Sequence, residues 1–369
     1  MKVLLFSHEF PPMLGGAGTV GYALTKLLVA EGHSVDVLTC RQERRKPNSF
    51  AHISNFYQVR TLKKMWFLSY IRKLNLRKYD LIILNDIGAT FVAGFTFSKK
   101  SLTKSIIFLH GSEPEKVFVS AGLTKKLIGF KKAYERALNF SQQLICVSNF
   151  MKAKFLKYTN LDIFEPKISV LPNFIDDKVF FPQKDPSFKS SLSLPNDSVV
   201  FGSVSRLVVG KGYLDKIDIF EKLVLEGSRN YYWVIVGDGP DKNIFEKLIK
   251  DKGLSDRILF LGHMEQNQLP LIYSNIDYFW LLSNFEEAFG LVYLEAQACG
   301  CKVIAKNQYG VRECIAHGIS GYLVDDINDV VHVVCNDLNE PITKEAVLEF
   351  AKNFNPLGHQ KFFQRIARR

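Results

Sequence analysis

Val199-Val200-Phe201-Gly202-Ser203-Val204, followed at once by Ser205-Arg206-Leu207-Val208-Val209-Gly210-Lys211-Gly212, is where the apolar rhythm of the chain starts over. Six residues rich in β-branched and aromatic side chains, closed by a polar loop with two glycines, read as a strand buried on both faces. Downstream, similar runs recur at 233–236, 258–261, 278–281, 302–304 and 322–324, with helix-length patterns between them. Upstream they lie at 3–6, 34–38, 81–84, 105–109 and 143–147. Short strands alternating with helices predict an α/β chain of parallel sheets covered by helices, and the restart near residue 198 predicts two such sheets. Length agrees, because 369 residues exceed what one hydrophobic core serves. Pro172, Pro182, Pro186 and Pro195 predict an extended connection with little room for helix. The expected domains are residues 1–180 and 181–352, with 353–369 as a closing segment.

A composition of 47% hydrophobic and 23% charged residues is that of a folded chain. The six cysteines lack paired spacing, and Cys299-Gly-Cys301 is too close for a zinc knuckle, so they read as reduced thiols in a cytoplasmic protein. The apolar run at 3–6 is too short for a signal-peptide core. Another, 81–97, is interrupted by Asn85 and Asp86 and is too short to span a bilayer. Charge is unevenly placed: residues 1–182 hold 27 Lys+Arg against 13 Asp+Glu, and 183–369 hold 21 against 24. A basic first half suits either a nucleic acid or an anionic membrane surface.

The most informative element is Glu287-Ala288-Phe289-Gly290-Leu291-Val292-Tyr293-Leu294-Glu295, which follows a strand and opens a helix. On helical rise, carboxylates eight positions apart stand roughly 12 Å from each other. That spacing lets one accept hydrogen bonds from a sugar ring and the other from a ribose across a pyrophosphate. The helix start at Phe289, Gly290 and Leu291 would offer backbone N–H groups to the phosphates. Arg206 and Lys211, at the carboxyl end of the restarting strand, could neutralise a diphosphate leaving group. Taken singly, such acids are more often flanks of a core helix and such cations a solvated surface pair. Two doubly wound sheets with facing carboxyl ends would make a cleft at their switch points, the usual place for a ligand.

Together these residues resemble the retaining GT-B glycosyltransferases marked by a Glu-x7-Glu element, the family 4-like group that includes many enzymes of lipopolysaccharide, capsule and exopolysaccharide assembly. The resemblance runs along nearly the whole chain, through 6–12 with Gly15-Gly16, His110-Gly111-Ser112-Glu113, Val147-Ser148-Asn149, 171–176, Arg206 and Lys211, 236–240, the Glu287 element, 310–313 and 318–321. It implies a GT-B fold of two Rossmann-like domains facing a central cleft, with the final segment crossing back to the first domain. It also implies hexosyl transfer with retention and without a metal, and no Asp-x-Asp motif occurs in the sequence. Glu287 would hold hydroxyls of the donor sugar and Glu295 those of the ribose. Arg206, Lys211 and the backbone of 289–291 would bind the diphosphate, with the Gly16 backbone approaching it. His110 would lie beside the transferred sugar, while the leaving phosphate assists deprotonation of the acceptor. The sequence departs from relatives at Phe174 and at Tyr309-Gly310, where many carry glycine and Gly-Gly.

Other signals weigh less. Gly16-Ala17-Gly18-Thr19-Val20-Gly21 is a literal G-x-G-x-x-G, but nine residues with two prolines separate the first apolar run from it, and no acid closes the second run. Its glycines read as a mobile loop near the donor phosphates rather than a nicotinamide site. The stretch 60–78 carries Arg60, Lys63, Lys64, Arg72, Lys73, Arg77 and Lys78 among aromatic and aliphatic residues; a second holds Lys125, Lys126, Lys131, Lys132 and Arg136. Both read as faces for an anionic membrane or as ordinary solvated faces of core helices. A nucleic-acid partner is not expected, since no nucleic-acid-binding motif accompanies the charge. The expectation is a UDP- or GDP-linked sugar donor, no other cofactor, a glycan or lipid-linked glycan acceptor, and a peripheral protein at the inner face of the cytoplasmic membrane. The rivals are another enzyme on the same fold, such as a nucleotide-sugar epimerase or a phosphorylase, and a noncatalytic binder of anionic polymer.

Overall fold

The computed structural model describes residues 1–11, 15–40, 50–59, 74–119, 128–159, 162–227 and 229–368. They form two compact units, Met1–Asn173 together with Pro356–Arg369, and Phe174–Asn355.

The first unit is built on a seven-stranded sheet in the order β3-β2-β1-β4-β5-β6-β7. Its strands are β1 (Lys2–Phe6), β2 (Ser34–Cys40), β3 (Asn55–Val59), β4 (Leu81–Leu84), β5 (Ser105–Leu109), β6 (Gln143–Cys146) and β7 (Ile168–Val170). All pairings are parallel, with Leu4 level with Asp36 on one side and Ile82 on the other. β4 and β5 are buried at every position, which is why they read as unbroken apolar runs. Helices α1 (Gly16–Ala30), α2 (Ile87–Thr96), α3 (Phe130–Phe140) and α4 (Asn149–Thr159) accompany the strands. Residues 3–6, 81–84 and 105–109 fall on strands as expected, whereas β3 and β7, the two edge strands, carry no such signal.

Gly16, Gly18 and Gly21 are helical residues of α1, so the mobile-loop reading of this motif is incorrect. The reason is packing. A Cβ at Gly18 would lie 3.2 Å from the backbone of Glu9 and Phe10, and one at Gly21 would lie 2.7 Å from the Asn85 amide nitrogen. The last two glycines let α1 sit close against its neighbours, and only Gly16 faces open space.

The second unit carries a six-stranded parallel sheet in the order β10-β9-β8-β11-β12-β13. Its strands are β8 (Val199–Val204), β9 (Tyr231–Val236), β10 (Ile258–Gly262), β11 (Tyr278–Leu281), β12 (Lys302–Lys306) and β13 (Gly321–Val324). Helices α5 (Tyr213–Glu226), α6 (Lys242–Asp251), α7 (Leu269–Asn275), α8 (Leu291–Ala298), α9 (Asp329–Asn339) and α10 (Lys344–Ala351) follow. The proline-rich connection holds little helix, as expected: a turn at 177–179, where the Phe180 N–H donates to the Asp176 carbonyl (2.9 Å), and the short helix Phe188–Ser191. α11 (Leu357–Ala367) returns to the first unit, where the Gln364 amide donates to Glu31 at the end of α1 (3.0 Å).

An aromatic box in the second unit encloses a lysine. Lys216 is fully buried, with Nζ 3.8 Å from the Tyr213 ring centroid and 5.0 Å from that of Trp233. Nζ donates to Ser203 Oγ at 3.0 Å. Burial, reinforced by the charge of Lys211, pulls its pKa well below the ordinary lysine value.

Of the cations read as a membrane face, Arg60, Lys63, Lys64, Arg72, Lys73, Lys125 and Lys126 lie outside the described residues. Two of the others serve the fold. Arg136 donates to the carbonyls of Gly94 (2.7 Å) and Phe97 (2.9 Å), closing the carboxyl end of α2. Lys78 sits 3.4 Å from the buried carboxylate of Asp36. No helix among the described residues is long and apolar enough to cross a membrane.

Candidate active site

In each sheet the strand order reverses once, between β1 and β4 in the first unit and between β8 and β11 in the second. Loops leaving the carboxyl ends of such strand pairs diverge and leave room for a ligand. Of the residues singled out from the sequence, Gly16 follows β1, Arg206 and Lys211 follow β8, and the 287–295 element follows β11, whereas His110 follows the neighbouring β5.

In the second unit the loop after β8 carries Arg206, which is exposed, and ends in a 3-10 turn, Val209–Lys211. Gly212 then adopts φ +70, and a Cβ there would lie 2.0 Å from the Leu282 carbonyl. Only glycine allows this approach. It brings the β8 loop onto the segment after β11, where the Asn284 N–H donates to the Gly210 carbonyl (2.8 Å). Lys211 Nζ consequently stands 2.6 Å from Glu287 Oε1, with side chains 22% and 21% exposed. The ion pair therefore spans the point where the strand order reverses.

The 287–295 element is not helical throughout. α8 begins only at Leu291, after Gly290 turns the chain with φ +104, so helical rise does not set the separation of Glu287 and Glu295. No side chain caps α8, which leaves its first-turn N–H groups without a side-chain acceptor. Phe289 is a core residue, its ring 5.8 Å from that of Phe354, and its carbonyl accepts from Cys314 Sγ (3.1 Å). Only its backbone can serve a ligand. Gly310 holds this turn in place, donating to the Glu287 carbonyl at 3.0 Å where a Cβ would strike the Ala288 carbonyl at 1.9 Å. Glu295 is buried and accepts from the Tyr273 hydroxyl at 3.0 Å. Burial raises its pKa to about 7, against hydrogen bonds from Tyr273 and Gln266 that lower it.

In the first unit His110 follows β5, half-buried. The carboxylate of Glu113 fixes the turn, accepting from the N–H groups of His110 (3.0 Å) and Gly111 (2.6 Å). The His110 ring meets Asn85 Oδ1 through Nε2 at 3.1 Å. Burial, only partly offset by the Asp86 carboxylate, lowers the imidazole pKa to about 4, so the ring is neutral at physiological pH. Gly16 opens α1 directly after the N-cap residue Gly15, which supplies no side-chain hydrogen bond.

The family described as Glycosyltransferase Family 4 matches residues 14–179, and that described as Glycosyl transferases group 1 matches 184–334. The two matches fall on the two sheets. The chain is a glycosyltransferase of the GT-B type.

Curated relatives of this transferase include N-acetyl-alpha-D-glucosaminyl L-malate synthase of Bacillus anthracis, 26% identical over 85% of this chain and 81% of that protein. Another is alpha-monoglucosyldiacylglycerol synthase of Acholeplasma laidlawii, 26% identical over 83% and 80%. Among solved structures, Anabaena HepE in complex with UDP superposes with a TM-score of 0.80 at 19% identity, covering 100% of both chains. Sucrose-phosphate synthase of Thermosynechococcus elongatus gives 0.78 at 20%, also over 100% of both. These likenesses support the same GT-B fold.

Sequence reasoning did not single out three residues of the transferase's first unit. Asn85 and Asp86 stand directly after β4, and the polar break in that apolar run was their signal. Asp86 caps α2 through Ala89 N (2.8 Å) and also accepts from the backbone N–H groups of His8 and Glu9. It thereby joins the ends of β1 and β4. Glu113 was visible only as part of a motif, without the role of fixing the His110 turn.

Proposed function

We propose that this transferase moves a hexose, with retention and without a metal, from a UDP- or GDP-linked sugar to a glycan or lipid-linked glycan acceptor in the assembly of a bacterial surface polysaccharide. The observation that carries the reading is the Lys211–Glu287 pair across the β8/β11 reversal, beside the uncapped start of α8. A cation, a carboxylate and uncapped helix N–H groups in one loop cluster match a diphosphate joined to a hydroxyl-bearing ring. In this reading Lys211, Arg206 and the backbone of Phe289, Gly290 and Leu291 take the diphosphate, with Gly16 assigned to the same group. Glu287 takes hydroxyls of the hexose, Glu295 those of the ribose, and His110 the transferred sugar. That structural neighbours are complexes with UDP and with UDP-glucose supports a nucleotide-sugar donor. Curated relatives named for malate and diacylglycerol products show that acceptors vary among similar chains. The surplus of Lys and Arg in residues 1–182 supports a peripheral position on an anionic membrane.

The test is incubation with a panel of UDP-, GDP- and ADP-hexoses and a lipid-linked glycan extract, followed by mass spectrometry. Addition of one hexose to an acceptor is expected. Binding of anionic polymer with no turnover of any donor would refute the reading.

The ribose assignment carries a pH prediction. An ionised Glu295 accepts two hydroxyls, whereas a protonated one must give up an acceptor site. With a pKa of about 7, nucleoside diphosphate affinity falls as pH drops below that value, approaching but not exceeding tenfold per unit. Calorimetry between about pH 5.5 and 8.5 should show this slope and its loss in Glu295→Gln. An identical slope in that variant would assign the titration to the phosphates alone.

A further inference from the structure

Asn85 is fully buried at the end of β4 and is bonded on three sides. Its Nδ2 donates to the Ala17 carbonyl in the first turn of α1 (2.7 Å) and to Ser7 Oγ at the end of β1 (2.9 Å). A carbonyl oxygen can only accept, so the amide orientation is fixed: the nitrogen faces Ala17 and Oδ1 faces His110. Oδ1 in turn can only accept, so His110 Nε2, 3.1 Å away, must carry the proton. In the neutral ring Nδ1 then carries a lone pair that can accept a hydrogen bond. Gly21 makes the arrangement possible, since a Cβ there would come within 2.7 Å of Nδ2 and 3.4 Å of the amide carbon.

The geometry points to Asn85 as a positioning residue that locks His110 in its Nε2–H tautomer, so that Nδ1 receives a hydroxyl proton donor of the sugar. The assignment of the sugar to His110 rests on the proposed transferase reaction; the tautomer lock does not. It ties the His110 ring to the first turn of α1, so a displacement of that turn is transmitted to the ring through one amide. A low imidazole pKa keeps the acceptor nitrogen unprotonated across the neutral range.

The test uses the full chain labelled with 15N-histidine, the His110 signals being identified by their absence in His110→Gln. The wild type should show a pyrrole-like Nε2 and a pyridine-like Nδ1, unchanged from pH 8 to about pH 5.5. Asn85→Ala removes the acceptor, and Gly21→Ala displaces it while leaving its chemistry in place; both should give mixed tautomers. In both, kcat should fall by about 10–100-fold, the range expected for a misplaced group, with KM for the sugar nucleotide within about twofold of wild type. A wild-type proton on Nδ1, or an unchanged tautomer in both variants, would overturn the lock. Mixed tautomers with full kcat would overturn the positioning role. If Asn85→Ala does not fold, the milder Gly21→Ala carries the comparison. If wild type turns over no donor, the transferase reading fails, while the spectra still decide the tautomer.

Discussion

Glu287→Ala should lower kcat/KM for hexose transfer by about 10²–10⁴-fold while leaving nucleoside diphosphate binding intact or tighter. The first part follows from the size of hydrogen bonds to a charged group, ~1.5–3 kcal/mol each, if two sugar hydroxyls lose their carboxylate. The second follows from the 2.6 Å pair with Lys211. Removing Glu287 releases an ammonium that the diphosphate would otherwise have to share. Lys211→Ala should instead weaken both the nucleoside diphosphate and the sugar nucleotide. Calorimetry and initial rates on the two variants separate these outcomes. Equal loss of diphosphate affinity in both would mean that Glu287 acts only by placing Lys211, and undiminished transfer in Glu287→Ala would remove it from the site.

Asp337→Ala should destabilise the second unit by about 3–5 kcal/mol, the cost of removing one partner from a buried charged network. Asp337 on α9 is almost fully buried and satisfies four donors. Oδ1 accepts from the Tyr322 hydroxyl (2.5 Å) and the Ile342 N–H (3.0 Å); Oδ2 accepts from the Tyr278 hydroxyl (2.5 Å) and from Lys302. Burial raises its pKa, but the hydrogen bonds from Lys302 and the two tyrosines outweigh burial and leave it below the usual carboxylate value. The sign follows. A folded-state pKa below the unfolded one contributes stability that is present above about pH 4 and is lost as pH falls through the folded value. Thermal melts at pH 7 should show the unit's midpoint on the order of 10 °C lower in Asp337→Ala, with the gap narrowing below about pH 4. A gap that is small at pH 7, or constant down to pH 3, would show that the carboxylate does not hold α9 to β11 and β13.

The parts of the fold legible in the sequence were those where burial is uniform. β4, β5, β8 and β11 have solid neighbours on both sides and read directly as apolar runs. β3 and β7 did not, because an edge strand is half-solvated: Asn55-Phe56-Tyr57-Gln58-Val59 mixes polar and aromatic residues, and Ile168-Ser169-Val170 is three residues long. The glycines of 16–21 were visible, but their use was not. Whether a glycine frees a loop or lets a helix press on a neighbour depends on what faces its α-carbon, here Glu9, Phe10 and Asn85.

Charge was the least transparent signal. Lys216 contributes to the net charge of the sequence yet is sealed among Tyr213, Trp233 and Trp280. Arg136, read as part of a membrane face, caps a helix. The 287–295 element was legible as a constellation but not as a shape, because the positive φ at Gly290 moves the helix start four residues past Glu287. At the other site, Asn85 announced itself only as a polar break after an apolar run. Its partners are 78 residues upstream at Ser7 and 25 residues downstream at His110. Long-range hydrogen bonds of this kind leave no periodicity to read.

The central claim is that the loops after β8 and β11 hold a sugar nucleotide by its diphosphate. The most direct measurement is a crystal structure of the full chain soaked with the nucleoside diphosphate of whichever donor it turns over. The expected density places the diphosphate against Lys211 and the first turn of α8, with Arg206 turned toward it and the ribose hydroxyls on Glu295. A nucleotide bound elsewhere on the chain, with the Lys211–Glu287 pair untouched by phosphate, would contradict it.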